Sequence, residues 1–173
     1  MKAKMKPLVF DSTPLIYLAK VSIISLLKNI PEKKFISLGV YKEVVIQGKK
    51  KGEPDAFLIE DLINKGVFQV EDIKEKTLPK KLQKSPLHLA DIETLALAKE
   101  LKGTAIIDEK LGREIADIEE VENRGTIFIL FRLLKLKLLD KKDLREKLDE
   151  MIEQGRRCSI ELYAAILKEL ERL

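Results

Sequence analysis

Apolar residues along the chain fall into two alternating rhythms. Short, nearly unbroken runs at Leu8-Val9-Phe10, Phe35-Ile36-Ser37-Leu38, Val67-Phe68-Gln69-Val70 and Thr104-Ala105-Ile106-Ile107 have the length and content of buried strands. Val121 opens a fifth candidate strand. Between these runs the apolar positions recur at helical spacing. Pro14 to Leu27 lines up Leu15, Leu18, Ala19, Ile23, Leu26 and Leu27, and Asn29-Ile30-Pro31 ends it. Gly39 leads into a second helix, Val40 to Gln47. Pro54 suits the first turn of a third, which buries Ala56, Leu58, Ile59, Leu62 and Ile63, runs to Lys65 and stops at Gly66. Leu87 to Leu101 is the most strongly helical segment, and Lys110 to Ile118 follows the fourth strand. Strands that alternate with helices in this way predict an α/β fold, a three-layer α/β/α arrangement around a central parallel sheet of four or five strands.

The C-terminal part reads as scaffold. Ile127 to Leu139 is apolar except for Arg132, Lys135 and Lys137, and at 13 residues it is a buried or dimer-forming helix. Asp140 opens another helix, closed by Gly155, and Ile160, Tyr163, Ala164, Leu167 and Leu170 mark the last. Residues 1–173 are therefore expected to form one domain, with 130–173 as its helical C-terminal part. Asp72 to Ser85, polar and containing Pro79, reads as a loop with at most one turn of helix. Lys49-Lys50-Lys51, flanked by Gly48 and Gly52, reads as a solvated loop.

Composition narrows the setting. A single cysteine, Cys158, excludes an intramolecular disulfide and a zinc cluster built on cysteine pairs, which suits a reducing cytoplasm. No apolar run approaches the ~20 residues of a membrane span, and the lysine-rich opening lacks the apolar stretch of a signal peptide. The expectation is a soluble, cytoplasmic protein with no membrane partner. The net charge of +4 is uneven: residues 1–54 carry 11 Lys against 4 acids, net +7, while the rest is net −3. That asymmetry is compatible with an anionic polymer on the N-terminal third.

The acids change the picture most. Asp11 ends the first strand, Glu43 lies in the first turn of the second helix, Asp91 begins the strongest helix and Asp108-Glu109 follows the fourth strand. Taken alone, Asp11 fits either a helix cap, as Ser12 does, or a site residue in the crevice beyond a parallel strand, and Glu43 fits an ordinary acid near a positive helix end. At 100° per residue Asp91 shares a face with Thr94, Leu95 and Ala98, whereas Glu93 lies about 200° away with Glu100. A core-facing carboxylate is costly unless paired or bound. Four acids at strand ends and helix starts, without basic partners, repel one another unless a cation sits between them. An all-oxygen set of this kind suits Mg²⁺ or Mn²⁺. His88, the only histidine, reads as a capping or surface residue.

These motifs resemble the PIN-domain family of metal-dependent ribonucleases, in particular its small prokaryotic, VapC-like branch, the toxin half of type II toxin–antitoxin pairs. Asp11-Ser12-Thr13-Pro14-Leu15-Ile16 is similar to the family's opening aspartate and hydroxyl, and Glu43-Val44 to its helix acid. Leu89 to Ala98, with Asp91 and Glu93, resembles the third acidic motif, and Ile106 to Arg113 the acid pair and arginine. Gly125-Thr126 and the segment from Gly155 to Leu167 are also similar. The chain departs from the pattern at Phe128 and Lys137, where the branch carries glycine, and Ala90-Asp91 replaces Gly-Glu.

The resemblance implies a nuclease in which Asp11, Glu43, Asp91 and Asp108 are catalytic. Asp11, Asp91 and Asp108 would hold Mg²⁺ or Mn²⁺, and Ser12, Glu93, Glu109 and Arg113 would support the site or contact substrate. Asp108 is preferred to Glu109 because it follows the strand directly. The implied partners are RNA, a cognate antitoxin and a second copy of the chain. A different class, a non-catalytic RNA- or protein-binding module on the same scaffold, is the alternative. A phospho-acceptor role for Asp11 is weaker, since no second aspartate stands two positions on.

Overall fold

The structure, a computed structural model, describes residues 5–73 and 80–173. Five strands form one sheet: β1 (Leu8–Phe10), β2 (Lys34–Ser37), β3 (Gln69–Glu71), β4 (Thr104–Ile106) and β5 (Asn123–Arg124). Their spatial order is β3-β2-β1-β4-β5, and every neighbouring pair is parallel. The chain moves outward from β1 to β3, then returns to the opposite side of β1 to lay down β4 and β5. The order therefore reverses between β1 and β4, and in open parallel sheets the crevice beyond the strand ends at such a reversal is where ligands bind.

Alternation along the short strands supplies both helical layers. Leu8, Phe10, Ile36 and Ile106 join a core with Leu15, Leu18, Ile59, Leu130, Leu148 and Ile166. Val9, Phe35 and Ala105, one residue out of step, face the other way onto Ile92, Leu95, Ala96 and Ala116. One layer thus holds α1 (Ser12–Lys20), α4 (Pro54–Asn64), α8 (Thr126–Lys135), α9 (Lys141–Glu153) and α10 (Ile160–Arg172). The other holds α6 (Leu89–Glu100) and α7 (Lys110–Ile118), with Leu82 of the short α5 (Lys80–Gln83) against them. The expected three-layer parallel architecture is the one observed. Asp140 caps α9 through a reciprocal pair with Asp143 (2.7 and 3.1 Å).

Several boundaries differ from expectation for identifiable reasons. The helix expected over Pro14 to Leu27 starts at Ser12 and stops at Lys20, because Ser22 takes a left-handed conformation (φ 61°); a 3-10 helix, Ile24–Asn29, follows. The helix expected over Val40 to Gln47 is part of a longer rod. It comprises α2 (Leu38–Tyr41), a π-helical stretch (Lys42–Gln47) and α3 (Gly48–Lys50). Lys49 and Lys50 consequently sit at a helix end and not in a loop, and Lys49 pairs with Glu60 at 2.8 Å. The fifth strand begins at Asn123, two residues after Val121. Of the predicted Asp72 to Ser85 loop, 74–79 lie outside the described residues, as do 1–4 of the N-terminal segment. Among the described residues no helix is long and apolar enough to cross a membrane.

Candidate active site

β1 is buried along its whole length and delivers Asp11 into the crevice beside β4, where the Asp11 amide donates to the Ile106 carbonyl at 3.0 Å. Asp11 holds the backbone position of a helix cap for α1, with extended φ and ψ of −79° and 169°, yet its side chain makes no capping bond. The carboxyl is 3% exposed and its Oδ1 has no hydrogen-bond partner. A buried carboxylate oxygen left without a partner is expensive in the folded protein. Ser12 does not cap either. Its hydroxyl donates to Glu43 Oε2 at 2.8 Å, tying the start of α1 to the π-helical turn that carries Glu43. Insertions of this kind are frequent at functional sites because they re-aim a side chain relative to the regular helix.

Asp91 reaches the same place from the first turn of α6 and is 8% exposed. Burial is the largest cause pushing the Asp11 carboxyl well above its ordinary 3.8, followed by the Asp91 charge, with Glu43 adding to it. The Asp91 carboxyl is also raised, first by burial and then by the charges of Glu109 and Glu43, while His88 acts in the opposite direction. The two carboxyls also act on each other, and together they resist full ionisation. Three carboxylates therefore act on one another, with a fourth, Glu109, acting on Asp91. Among the described residues no three of them are drawn together tightly enough to enclose a metal ion as the side chains stand.

The donor set nonetheless fits a hard divalent cation. All donors are carboxylate oxygens, Oδ1 of Asp11 is free to take a ligand, and a positive charge would relieve the repulsion that raises both aspartates.

Asp108 does not follow β4 directly as expected: Ile107 stands between them, whereas Asp11 is the residue after β1, and the surroundings of Asp108 are different. Its Oδ1 accepts from the Thr126 amide at 2.8 Å and its Oδ2 from the Thr126 hydroxyl at 2.6 Å, so it caps α8 from a separate strand. Arg156 Nη2 lies 3.3 Å from Oδ1. Gly125 makes room for this contact, since a Cβ there would stand 2.8 Å from the same oxygen. Glu109, exposed on the next residue, is the member of the pair whose charge reaches Asp91.

Glu93 does not point away with Glu100 as the helical wheel predicts for it. Its Oε2 accepts from the Gly39 amide at 2.7 Å and, with Ser37 Oγ accepting from Val40 at 3.1 Å, secures the entry of the rod that bears Glu43. A Cβ at Gly39 would collide with that oxygen. Arg113 Nε donates to Asn123 Oδ1 at 3.3 Å beside the crevice. Thr126 was not among the expected site residues, although a hydroxyl after Gly125 at the head of an apolar helix is a recognisable helix start.

The chain is thus a parallel α/β domain with buried, mutually repelling carboxylates at its topological reversal. A profile of the PIN-domain family matches residues 7–172, and the chain belongs to that family. PIN domains are generally nucleases and typically bind divalent metals. A search of curated proteins returned no match.

Proposed function

We propose that the chain is a Mg²⁺- or Mn²⁺-dependent endoribonuclease, and that the observation carrying this reading is the buried Asp11–Asp91 pair with its unpartnered oxygen at the sheet reversal. Asp11 and Asp91 would be the first metal ligands, with Asp108 or Glu109 completing the set and Glu43 held ready by Ser12. Bound there, a divalent cation supplies an activated water and a positive charge for phosphodiester hydrolysis. The protein's own part is positional. Ser12 fixes the Glu43 carboxylate, Glu93 and Ser37 fix the rod beneath it, and Thr126 holds Asp108 in one orientation. Ser12 is already a donor to Glu43, which argues against a nucleophilic role.

The finer reading makes this nuclease the toxin half of a type II toxin–antitoxin pair, acting as a cytoplasmic homodimer on RNA, with residues 1–173 as one domain. The opening and third acidic motifs support it. A non-catalytic binding module is the second reading, favoured by the engagement of Asp108 with Thr126 and Arg156. Cleavage of structured RNA by purified protein with Mn²⁺ or Mg²⁺, compared with Asp11→Asn, tests the enzyme reading. Cleavage by the wild type alone supports it; equal cleavage by both removes Asp11 from the site. Inducible expression in a bacterial host adds the toxin test, with growth arrest expected only when Asp11 is intact.

A further inference from the structure

A pocket of about 430 Å³ lies at the amino-terminal ends of β2 and β3, the opposite end of the parallel strands from the acids. Its size is within the ~300–1,000 Å³ common for small ligands. One wall is the segment between Lys28 and Lys34, which leads into β2, and the other is the turn Lys65 to Val67, which follows α4. Gly66 makes that turn with a positive φ of 76°, a conformation glycine adopts without strain. Lys28, Lys33, Lys34 and Lys65 line the pocket, and Glu32 is the one acid among its lining residues.

Some of these charges are matched locally. Lys65 pairs with Asp61 at 2.6 Å, and Glu32 Oε1 accepts from Arg132 Nε at 2.8 Å. Lys28, Lys33 and Lys34 are left over. Lys28 and Lys33 are exposed and have no acid partner among the described residues. Lys34 is 7% exposed, and its ammonium, which can donate more than once, reaches a single acceptor, the Ile30 carbonyl at 2.6 Å. Burial pulls that ammonium below its ordinary 10.5 and the Glu32 charge offsets only part of the effect, so an anion in the pocket would favour the charged form. Glu32 Oε2 is buried without a partner, and the group it lacks is a donor such as a hydroxyl. Pro31 and Val67 add an apolar edge to the same space.

We infer that this pocket binds a small phosphate-bearing ligand, with Lys28, Lys33 and Lys34 around the phosphate. The unpartnered Glu32 oxygen and the apolar edge favour an ester that carries hydroxyls, such as a nucleoside monophosphate, over the free anion. Nothing in this requires the chain to be a nuclease, and the test involves no cleavage. Adenosine 5′-monophosphate and inorganic phosphate are each titrated calorimetrically into the full chain in EDTA, at about 0.1 M KCl, where diffuse attraction between exposed charges is largely screened. The same titrations are run on Lys28→Gln/Lys33→Gln and on Lys50→Gln/Lys51→Gln, which removes the same charge from exposed positions outside the pocket.

Saturable binding by the wild type should weaken about tenfold or more in Lys28→Gln/Lys33→Gln, the scale of losing charge-assisted bonds to a phosphate, and persist in Lys50→Gln/Lys51→Gln. All four lysines are exposed, so both variants should keep the melting temperature of the wild type. Tighter binding of the nucleotide than of inorganic phosphate identifies the ester as the ligand, and equal affinities identify the free anion. Absence of saturable binding of either probe by the wild type would overturn the inference. So would equal affinities in the wild type and Lys28→Gln/Lys33→Gln, or the same loss in both double variants.

Discussion

Asp11 and Asp108 lie one and two residues beyond the ends of adjacent parallel strands, and the protein treats them in opposite ways. Asp108 is surrounded by donors: the Thr126 amide, the Thr126 hydroxyl and Arg156. Asp11 is more deeply buried, keeps one oxygen without any partner and faces two other acids. A carboxylate that only had to hold the fold together would be arranged like Asp108. One arranged like Asp11 destabilises the folded chain unless its charge is neutralised or compensated.

The sharpest way to break this contrast is to neutralise each residue in turn. Asp11→Asn should lower RNA cleavage by at least about a hundredfold, the scale of losing a metal-supported step worth several kcal/mol, without lowering the melting temperature. Asp108→Asn should lower the melting temperature as well, because α8 loses its cap and Arg156 its counter-charge. Comparable loss of stability in both variants would erase the distinction between them.

Thr126→Val removes the shorter of the Asp108 contacts and leaves a part-buried carboxylate oxygen unsatisfied, which should cost about 1–3 kcal/mol in denaturant unfolding. Combined with Asp108→Asn the two losses should not add, since both delete one interaction. Additive losses would mean that Thr126 and Asp108 act separately.

Glu93→Ala leaves the Gly39 amide without its acceptor at the head of the rod that carries Glu43. A loss of about 1 kcal/mol is expected, with a several-fold fall in cleavage, because Glu43 is carried by the same backbone. Gly39→Ala should do the same by collision.

The smallest effect is on pH dependence. In the metal-free folded protein the Asp11 carboxyl titrates above its ordinary 3.8, so the folded state holds more protons than the unfolded one between those two values. Stability in EDTA should therefore fall as pH rises through that window. Thermal melts taken upward in pH from the ordinary carboxylate range should show a flatter profile in Asp11→Asn than in the wild type.

Much of this arrangement is readable from the chain, and the exceptions share one cause. β1 and β4 are short apolar runs followed by acids, and Asp91 shares its helix face with Thr94 and Leu95, so local spacing turns Asp11 and Asp91 towards the interior, while their meeting depends on the sheet order. Glu93 escaped the same logic because α6 is enclosed on nearly every side, Ala90 to Ala98 being buried except at Glu93 itself. On such a helix there is no solvent face for the wheel to find. The partners of Asp108 escaped because they lie 18 and 48 residues away, and nothing in local periodicity links Thr126 or Arg156 to it. The π-helical turn under Glu43 is likewise a tertiary outcome: Val44 and Val45 are buried in it, but its sequence carries no Gly or Pro to announce a change of helix.

The nuclease reading requires the acids at the β1 end to hold a cation. Calorimetric titration of Mn²⁺ into metal-free wild-type protein, into Asp11→Asn and into Asp91→Asn measures this directly. Saturable binding by the wild type, greatly weakened in both variants, is the predicted result. Absence of binding by the wild type, or binding that both variants retain unchanged, would contradict it.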